Sequence, residues 1–337
     1  MTVYFAGESI SDFQENTNSN AQDSGDTIRS STGPTTSDGI GSLFQNFGTT
    51  ITGPLFATVS LAGTVANSSY GDFSLSNNPT QSTLSFWDAE GNNIFFCGFN
   101  VNSGRFEGRV QLRDGTTSDL DISANSTGKY DFRIEPGVGL KIWRNSVILA
   151  DYSGDVGNAA SSTNGVGRFG VGNGDGYAAP QLYDIIVADF DTRLSTLETI
   201  TVNSTATTDT STGGDSTSIP TKVNNWERST YETNNLVTFN ADGQKVIYAQ
   251  NNTVTLPAGN AVAAVVMSHS GLQTGSSPVP NLTPIVVVGG TEYTGTAIPL
   301  TSSETYAQTI FETNPATSTA WGSSDVNGLS LGLSLNT

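Results

Sequence analysis

The stretch Tyr130-Asp-Phe-Arg-Ile134 decides the fold class, together with the segments Leu140-Lys-Ile-Trp143 and Val147-Ile-Leu-Ala150 that follow it. In the first two segments apolar and polar residues alternate, which is the period of a β-strand with one buried face. The Arg144-Asn145 pair between the last two segments is typical of a tight turn. Because short alternating segments separated by turns are the pattern of antiparallel sheets, this region predicts neighbouring antiparallel strands.

The same pattern extends outward from this stretch. Residues 84–87 and 94–99 flank the turn-rich connection 88–93, and residues 108–113 run into the turn signal Asp114-Gly115. Residues 182–188 form a near-continuous apolar run, as a strand covered on both faces does. Many short antiparallel strands with no long helix predict a β-sandwich.

The clearest boundary is a polar segment in the middle of the chain. Residues 203–218 contain no large apolar residue, so they cannot form a core, and we interpret residues 199–220 as a Ser/Thr/Gly-rich linker. We therefore predict an all-β protein with two jelly-roll-like β-sandwich domains, at residues 1–198 and 221–337. In the second domain, strands are predicted at 246–248, 254–256, 261–267, 282–288, 309–312 and 329–335, with one helical turn at 323–328 capped by Ser323.

The charge of the chain excludes some partners. Thirteen Lys and Arg face 31 Asp and Glu, which gives a net charge of −18. Nucleic-acid binding requires basic residues that neutralise phosphates, and anionic lipid also attracts positive charge, so neither partner is expected. The first eight residues lack the basic and apolar regions of a signal peptide, and no segment reaches transmembrane length. We expect synthesis in a host cytoplasm, no membrane insertion and release by lysis.

Residues 73–189 resemble the concanavalin-A/laminin-G-like jelly roll found in many phage structural proteins. The resemblance rests on segments 130–134 and 140–147 and on Leu182-Tyr-Asp-Ile-Ile-Val-Ala-Asp189, in the order strand, strand–turn–strand and closing strand. It implies a jelly-roll sandwich for the first domain. Relatives on this fold bind glycans through loops.

The last third of the chain resembles a module that recurs in phage tail and other virion proteins. Ser330 and Ser334 stand where relatives carry charged or bulkier residues. The resemblance implies a location in the virion and contacts with other virion proteins. Since virion parts are symmetric assemblies, several copies are expected, with a trimer as the predicted arrangement. The segments that carry the resemblance are Leu256-Pro-Ala-Gly259, Gly289-Gly-Thr-Glu-Tyr-Thr-Gly295, Phe311-Glu-Thr-Asn-Pro-Ala-Thr-Ser-Thr-Ala-Trp321 and Asp325-Val-Asn-Gly-Leu-Ser-Leu-Gly-Leu333.

Little in the sequence indicates catalysis. His269 is the single histidine, and we interpret it as a solvated residue at a strand end; Cys97 lies in an apolar strand and is interpreted as an inert core thiol. The alternative is a glycan hydrolase. Asp119, Asp121 and Ser123 alternate and would share one face of a strand, as the cleft carboxylates of jelly-roll glucanases do. Because the third position is Ser and the acids are Asp where the family has Glu, an exposed acidic edge or loop is the preferred explanation. We expect no enzyme and no catalytic residue.

A binding function is the second hypothesis, and it is compatible with the first. Tyr152 and Tyr177 lie in Gly/Asp-rich loops and are the candidates for stacking on a host surface glycan. Trp87 and Trp143 lie within strands and are predicted to be core residues. No cofactor is expected apart from a possible Ca²⁺ ion, for which the candidate ligands are Asp151, Asp155 and Asp175, and these also fit plain turns.

Overall fold

A computed structural model describes the chain as two compact units, Thr2–Leu197 and Glu198–Thr337, the second of which also includes Met1. Each unit consists of antiparallel sheets, which confirms the all-β prediction. No helix of the described chain has the length and apolar character needed to cross a membrane. The described residues are 1–7, 13–16, 21–23, 28–30, 41–62, 83–100, 105–123, 127–173, 181–198, 200, 202–211, 237–256, 260–275, 280–303 and 305–337.

Two sheets form the first unit. Eight strands follow the order β13-β12-β11-β6-β15-β4-β3, with β1 also paired to β15, and seven strands follow the order β10-β9-β8-β7-β14-β5-β2. In chain order the strands are β1 Val3–Gly7, β2 Glu15–Asn16, β3 Ala21–Asp23, β4 Ile28–Ser30, β5 Gly41–Ile51, β6 Leu55–Ala62, β7 Leu84–Trp87, β8 Asn93–Asn100, β9 Arg105–Gln111, β10 Thr117–Ser123, β11 Gly128–Glu135, β12 Gly139–Arg144, β13 Val147–Ser153, β14 Val166–Asn173 and β15 Gln181–Ala188.

One apolar core lies between these two sheets. Along β9 buried and half-buried residues alternate without interruption, which is the pattern of a strand with one face on a core. Aromatic rings fill the centre, where Phe86 lies 5.3 Å from Phe169 and 6.5 Å from Phe132, measured between ring centroids. Cys97 is fully buried in this core. The two sheets are therefore held together mainly by phenylalanine and aliphatic packing.

The deciding stretch forms a meander at one edge of the eight-stranded sheet. Strands β11 and β12 pair from Tyr130↔Arg144 to Glu135↔Gly139, and β12 pairs with β13. The turn between β12 and β13 has Asn145 at φ 48° and Ser146 at φ 68°. Two successive residues with positive φ match the twist of a tight antiparallel hairpin, so the turn predicted here is present.

Trp143 is buried, as predicted, although it lies on the outer face of its sheet, whereas Trp87 is half-buried on the outer face of the other sheet and the core prediction for it is wrong. Trp143 is the cross-strand neighbour of Asp131, which points away from the core residues Tyr130 and Phe132. Trp143 is buried because the segment 189–197, which we call the strap, passes over this outer face. Strand membership followed from the sequence, whereas the face of each tryptophan depends on register.

The strap is held by polar contacts. The Asp131 carboxylate accepts a 2.7 Å hydrogen bond from the hydroxyl of Thr58, whose oxygen also lies 2.9 Å from the hydroxyl of Thr192. Lys129 Nζ donates to the main-chain carbonyls of Arg193 and Ser195 at 2.8 and 3.0 Å. The Arg193 guanidinium lies 4.7 Å from the Trp143 ring. Burial raises the pKa of Asp131, against the opposing effect of its hydrogen bond from Thr58.

The second unit has a six-stranded sheet, a two-stranded sheet and one short helix in its described part. The order is β16-β17-β23-β19-β20 with β21 on β19, and β18 pairs with β22. The elements are β16 Val202–Asp209, β17 Lys245–Gln250, β18 Val265–Gly271, β19 Asn281–Val288, β20 Thr291–Thr294, β21 Ile298–Pro299, β22 Thr305–Phe311, α1 Ser323–Asn327 and β23 Ser330–Asn336.

The strand content of this half differs from the prediction in two places. Strand β16 lies within the segment predicted to be a linker, since Val202 is buried and Ala206 packs beside it against the cluster of β17. An edge strand can form with this little apolar surface, while residues 212–220 lie outside the described part. The strand predicted at 254–256 is absent, because the side chain of Asn327 holds both main-chain groups of Val254.

Candidate functional site

Three connections of the first unit meet at one end of the sandwich. They are residues 111–117, 135–139 and 153–165, which we call the loop end. Arg113 N donates to Asp155 O at 3.1 Å, Gly157 N to Gln111 O at 3.0 Å, and Gly137 N to Val156 O at 2.9 Å. Main-chain hydrogen bonds between different loops fix their relative positions. The loop end is therefore a preorganised surface, which lowers the ordering cost of binding a partner there.

Tyr152 lies at the margin of this loop end. Its cross-strand neighbour is the buried Leu140, and the half-buried ring packs partly against the core. Gly154 is needed beside it, because a Cβ on that glycine would lie 2.7 Å from the Tyr152 hydroxyl and 2.8 Å from its ring. The ring is thus fixed in orientation with part of its surface in solvent. Tyr177, the second glycan-contact candidate, lies outside the described residues.

The three candidate metal ligands do not come together in the described chain. Asp151 forms an ion pair with Lys141 on the neighbouring strand, at 2.8 Å. Asp155 is exposed in the loop end, and Asp175 lies outside the described residues. Within the described part, no group of three or more His, Cys, Asp or Glu side chains is arranged to hold a metal ion.

The alternating carboxylates Asp119 and Asp121 lie on β10, at the edge of the seven-stranded sheet. Both are exposed and point away from the core. Each faces an arginine of β9: Arg109 makes a bidentate pair with Asp119 at 2.6 and 3.0 Å, and Arg105 pairs with Asp121. Hydrogen bonding to Asp119 raises the pKa of Arg109. Each carboxylate thus forms an ion pair at an exposed sheet edge, whereas a retaining glycosidase needs two carboxyl groups that face one cleft.

An aromatic group on the outer face of the seven-stranded sheet was not found from the sequence. The Arg168 guanidinium lies 3.7 Å from the Phe44 ring centroid, and Trp87 meets the same ring edge-on at 5.9 Å. Trp87 Nε1 donates to Ser85 Oγ at 2.8 Å. Gly170 permits this packing, since a Cβ there would lie 2.6 Å from the Phe44 ring. The five residues come from three strands, so their association depends on register and not on sequence spacing.

His269 is buried, which overturns the interpretation that it is solvated. It lies within β18 and not at its end, and it is 6% exposed. Its Nδ1 lies 3.3 Å from Met267 O, and Nε2 has no hydrogen-bond partner. Burial lowers the pKa of His269 and raises that of the Cys97 thiol. Both groups are thus held in their neutral forms.

The C-terminal segment 311–333 supplies structural contacts. Trp321 is buried and its Nε1 donates to Phe311 O at 2.7 Å. Asn327 accepts from Val254 N at 2.7 Å and donates to Val254 O at 2.9 Å. The helix cap differs from the predicted Ser323, because the Asp325 carboxylate accepts from Gly322 N at 3.0 Å and Gly322 is the cap. These side chains brace the fold of the unit.

Comparisons with known proteins do not define a family. No family model matches the sequence, and no curated protein matches it. Among solved structures, the binding domain of botulinum neurotoxin DC in complex with rat synaptotagmin II is 8% identical, with 92% of each chain covered and a TM-score of 0.35. The Trypanosoma rangeli sialidase is 13% identical over 51% of this chain and 26% of its own, with a TM-score of 0.33. Similarity this low supports no conclusion about function.

Proposed function

We propose that this chain is a non-enzymatic structural protein exposed on a bacteriophage particle, in the tail, a fibre or the capsid exterior. The observation that carries the proposal is the structural role of the C-terminal segment 311–333, which resembles a module of phage virion proteins. Its distinctive side chains, Trp321, Asp325 and Asn327, all hold the unit together. A segment that recurs because it builds a fold suits an architectural module, since a recognition or catalytic site has to keep its polar groups available.

The state of the titratable groups supports the absence of catalysis. In the described chain His269 and Cys97 are buried and neutral, and Asp119 and Asp121 are each paired with an arginine. A hydrolase would need one carboxyl group that is protonated near neutral pH and a second that is free to attack. We expect host polysaccharide to be unchanged in length after incubation with the purified protein. Shortened chains, lost on substitution Asp119→Asn, would establish the hydrolase instead.

Mass spectrometry of gradient-purified particles tests the location. The phage that encodes this chain should contain it at a fixed number of copies per particle, and antibody labelling should place it on the outer surface. Its recovery from the particle-free lysate alone would refute the proposal. Chemical crosslinking of the purified protein is the accompanying measurement, since a structural component is expected to self-associate or to bind a symmetric platform.

Glycan contact at the loop end is a second candidate function, supported by the fixed ring of Tyr152 beside preorganised loops. On a glycan array we expect the wild-type protein and Tyr152→Phe to bind the same glycans, because stacking requires the ring and not the hydroxyl. Tyr152→Ala should lose this binding. Tyr293→Ala removes a half-buried tyrosine from the other unit and serves as the control. An array without signals for any variant would refute glycan contact and leave the virion proposal unaffected.

A further inference from the structure

Strand β13 forms an open edge of the first unit. It ends the eight-stranded sheet, and β12 is its single partner among the described strands. The outer side of such a strand presents main-chain N–H and C=O groups in the spacing that another strand can pair with. Natural edge strands are usually protected from this by charge, proline or short length. β13 spans seven residues and contains neither proline nor lysine.

Exposed apolar side chains surround this edge. Val147 is 63% exposed and Ile148 is 56% exposed, both at the start of β13. Ile148 is the cross-strand neighbour of Trp143, over which Arg193 of the strap lies, and the next strap residue, Leu194, is 90% exposed. Apolar residues gathered at one corner mark an association surface more often than single scattered ones do.

The edge of the opposite sheet is built differently. Strand β10 carries Asp119 and Asp121, which project from the edge as exposed carboxylates paired with Arg109 and Arg105. Charges at these positions oppose pairing with another strand. On β13 the single charged residue is Asp151, whose charge Lys141 neutralises at 2.8 Å. Strands β10 and β13 lie beside each other on one side of the sandwich, and charge protects the edge of β10 but not that of β13.

The distribution of charge along the chain indicates that the partner at the β13 edge is a second copy of the same chain. Residues 127–153, which form β11, β12 and β13, contain four basic and three acidic residues, whereas the whole chain contains 13 and 31. Two copies of so acidic a chain repel each other over most of their surfaces. A two-fold axis at β13 brings their neutral regions together and keeps the acidic remainder apart. The edge is also self-complementary, because antiparallel strands exchange identical main-chain groups.

We propose that β13 is a self-association surface, where a second copy of this chain adds its own β13 antiparallel to form a two-fold dimer in place of the trimer predicted from the symmetry of virion parts. A β-bulge at Leu149, between the Ile142↔Ala150 and Trp143↔Ile148 pairs, bends the strand. Main-chain pairing is therefore confined to Ala150 and the residues after it, and Val147 and Ile148 contribute side-chain contact. The pairing segment adjoins the loop end at Tyr152 and Ser153, and the proposal does not depend on the function proposed above.

Sedimentation velocity of the full-length protein, over a concentration series at physiological salt, tests the proposal. The wild-type chain should show a monomer–dimer equilibrium, and Ile148→Lys should raise the dimer dissociation constant by roughly tenfold or more, because a charge at an edge opposes pairing. Val138→Lys is the matched control: Val138 is also 56% exposed, but it lies in the β11–β12 turn. It should dimerise like the wild type.

Hydrogen–deuterium exchange of the wild-type protein gives a second readout that does not depend on a variant folding. Amides of residues 150–153 should gain protection as the protein concentration rises through the dimer range, while those of β10 should not change. A wild-type chain that stays monomeric, a trimer as its assembled form, or equal weakening by Ile148→Lys and Val138→Lys would each overturn the proposal.

Discussion

The two units of this chain are stabilised in different ways. The first has one continuous apolar cluster between two large sheets, centred on phenylalanines that are fully buried. The second has three small clusters, and its buried residues include His269, Asn314 and Ser334. Side-chain hydrogen bonds to the main chain compensate there for a smaller core. The comparison shows that a single chain can stabilise one β unit mainly by burying apolar area. It can stabilise a second unit by pairing the hydrogen-bonding groups at loops and strand ends.

The largest effect is expected from breaking the core of the first unit. Phe86 is fully buried beside Phe95, Phe132 and Phe169. Phe86→Ala should lower the free energy of unfolding by about 3–5 kcal/mol, through lost burial and the cavity that remains. Urea denaturation measures the change. Leu194→Ala, at an exposed strap position, is the control and should have no measurable effect; an equal loss in both variants would contradict a single packed core.

An intermediate effect is expected from removing a side-chain brace in the second unit. Asn327→Ala leaves both main-chain groups of Val254 without their side-chain partners. The free energy of unfolding of this unit should fall by about 1–3 kcal/mol, since unsatisfied groups in a half-buried site are costly. Hydrogen exchange of residues 252–256 localises the change. Asn336→Ala, which removes part-buried hydrogen bonds to the hydroxyls of Thr283 and Ser334 and none to the main chain, should cost less; the reverse order would argue against the brace.

The effect of His269 on the stability of the second unit is expected to be the smallest of these effects at neutral pH. This effect, a loss of stability, should grow as the pH falls. The pKa of His269 is lowered by burial, so the fold favours the neutral ring. The stability that this gives is complete above the ordinary histidine pKa of about 6.5 and is lost as the pH falls below it. Asp131 of the first unit has a raised pKa, so the fold favours its protonated form and acid does not destabilise that site. Acid should therefore weaken the second unit first.

Hydrogen exchange of peptides from each unit, at pH 7.5 and 5.5 with correction for the intrinsic rate, checks this order. His269→Gln cannot take up a proton and should reduce the acid-induced loss of protection in the second unit without altering the first. An unchanged difference between the two pH values in the variant would show that other groups control the acid response.

Local patterns predicted much of the strand content. The hairpin at 130–150 and the strands at 84–87 and 94–99 were found because alternation and turn residues act over a few positions. The strand at Val202–Asp209 was missed because Thr and Ser strands at an edge need few apolar residues. His269 was misplaced because its burial comes from packing between layers, which no neighbouring residue in the sequence reports.

In the candidate site, too, contacts between distant residues could not be predicted from the sequence. The sequence indicated a loop for Tyr152 and a turn for Asp151, whereas both lie within β13, and Lys141 as the partner of Asp151 follows from strand register. The contact of Phe44, Trp87 and Arg168 could not be predicted, because it joins residues far apart in the chain.

Residue order was sufficient to establish an acidic, all-β chain, because composition, alternation and turn preference can be read without knowing long-range contacts. Long-range pairing was needed to show which side of each strand faces the core. It also placed the strap over Trp143, paired each β10 carboxylate with an arginine and left β13 as an open edge. These features depend on register between distant strands, where a shift of one residue reverses every side chain.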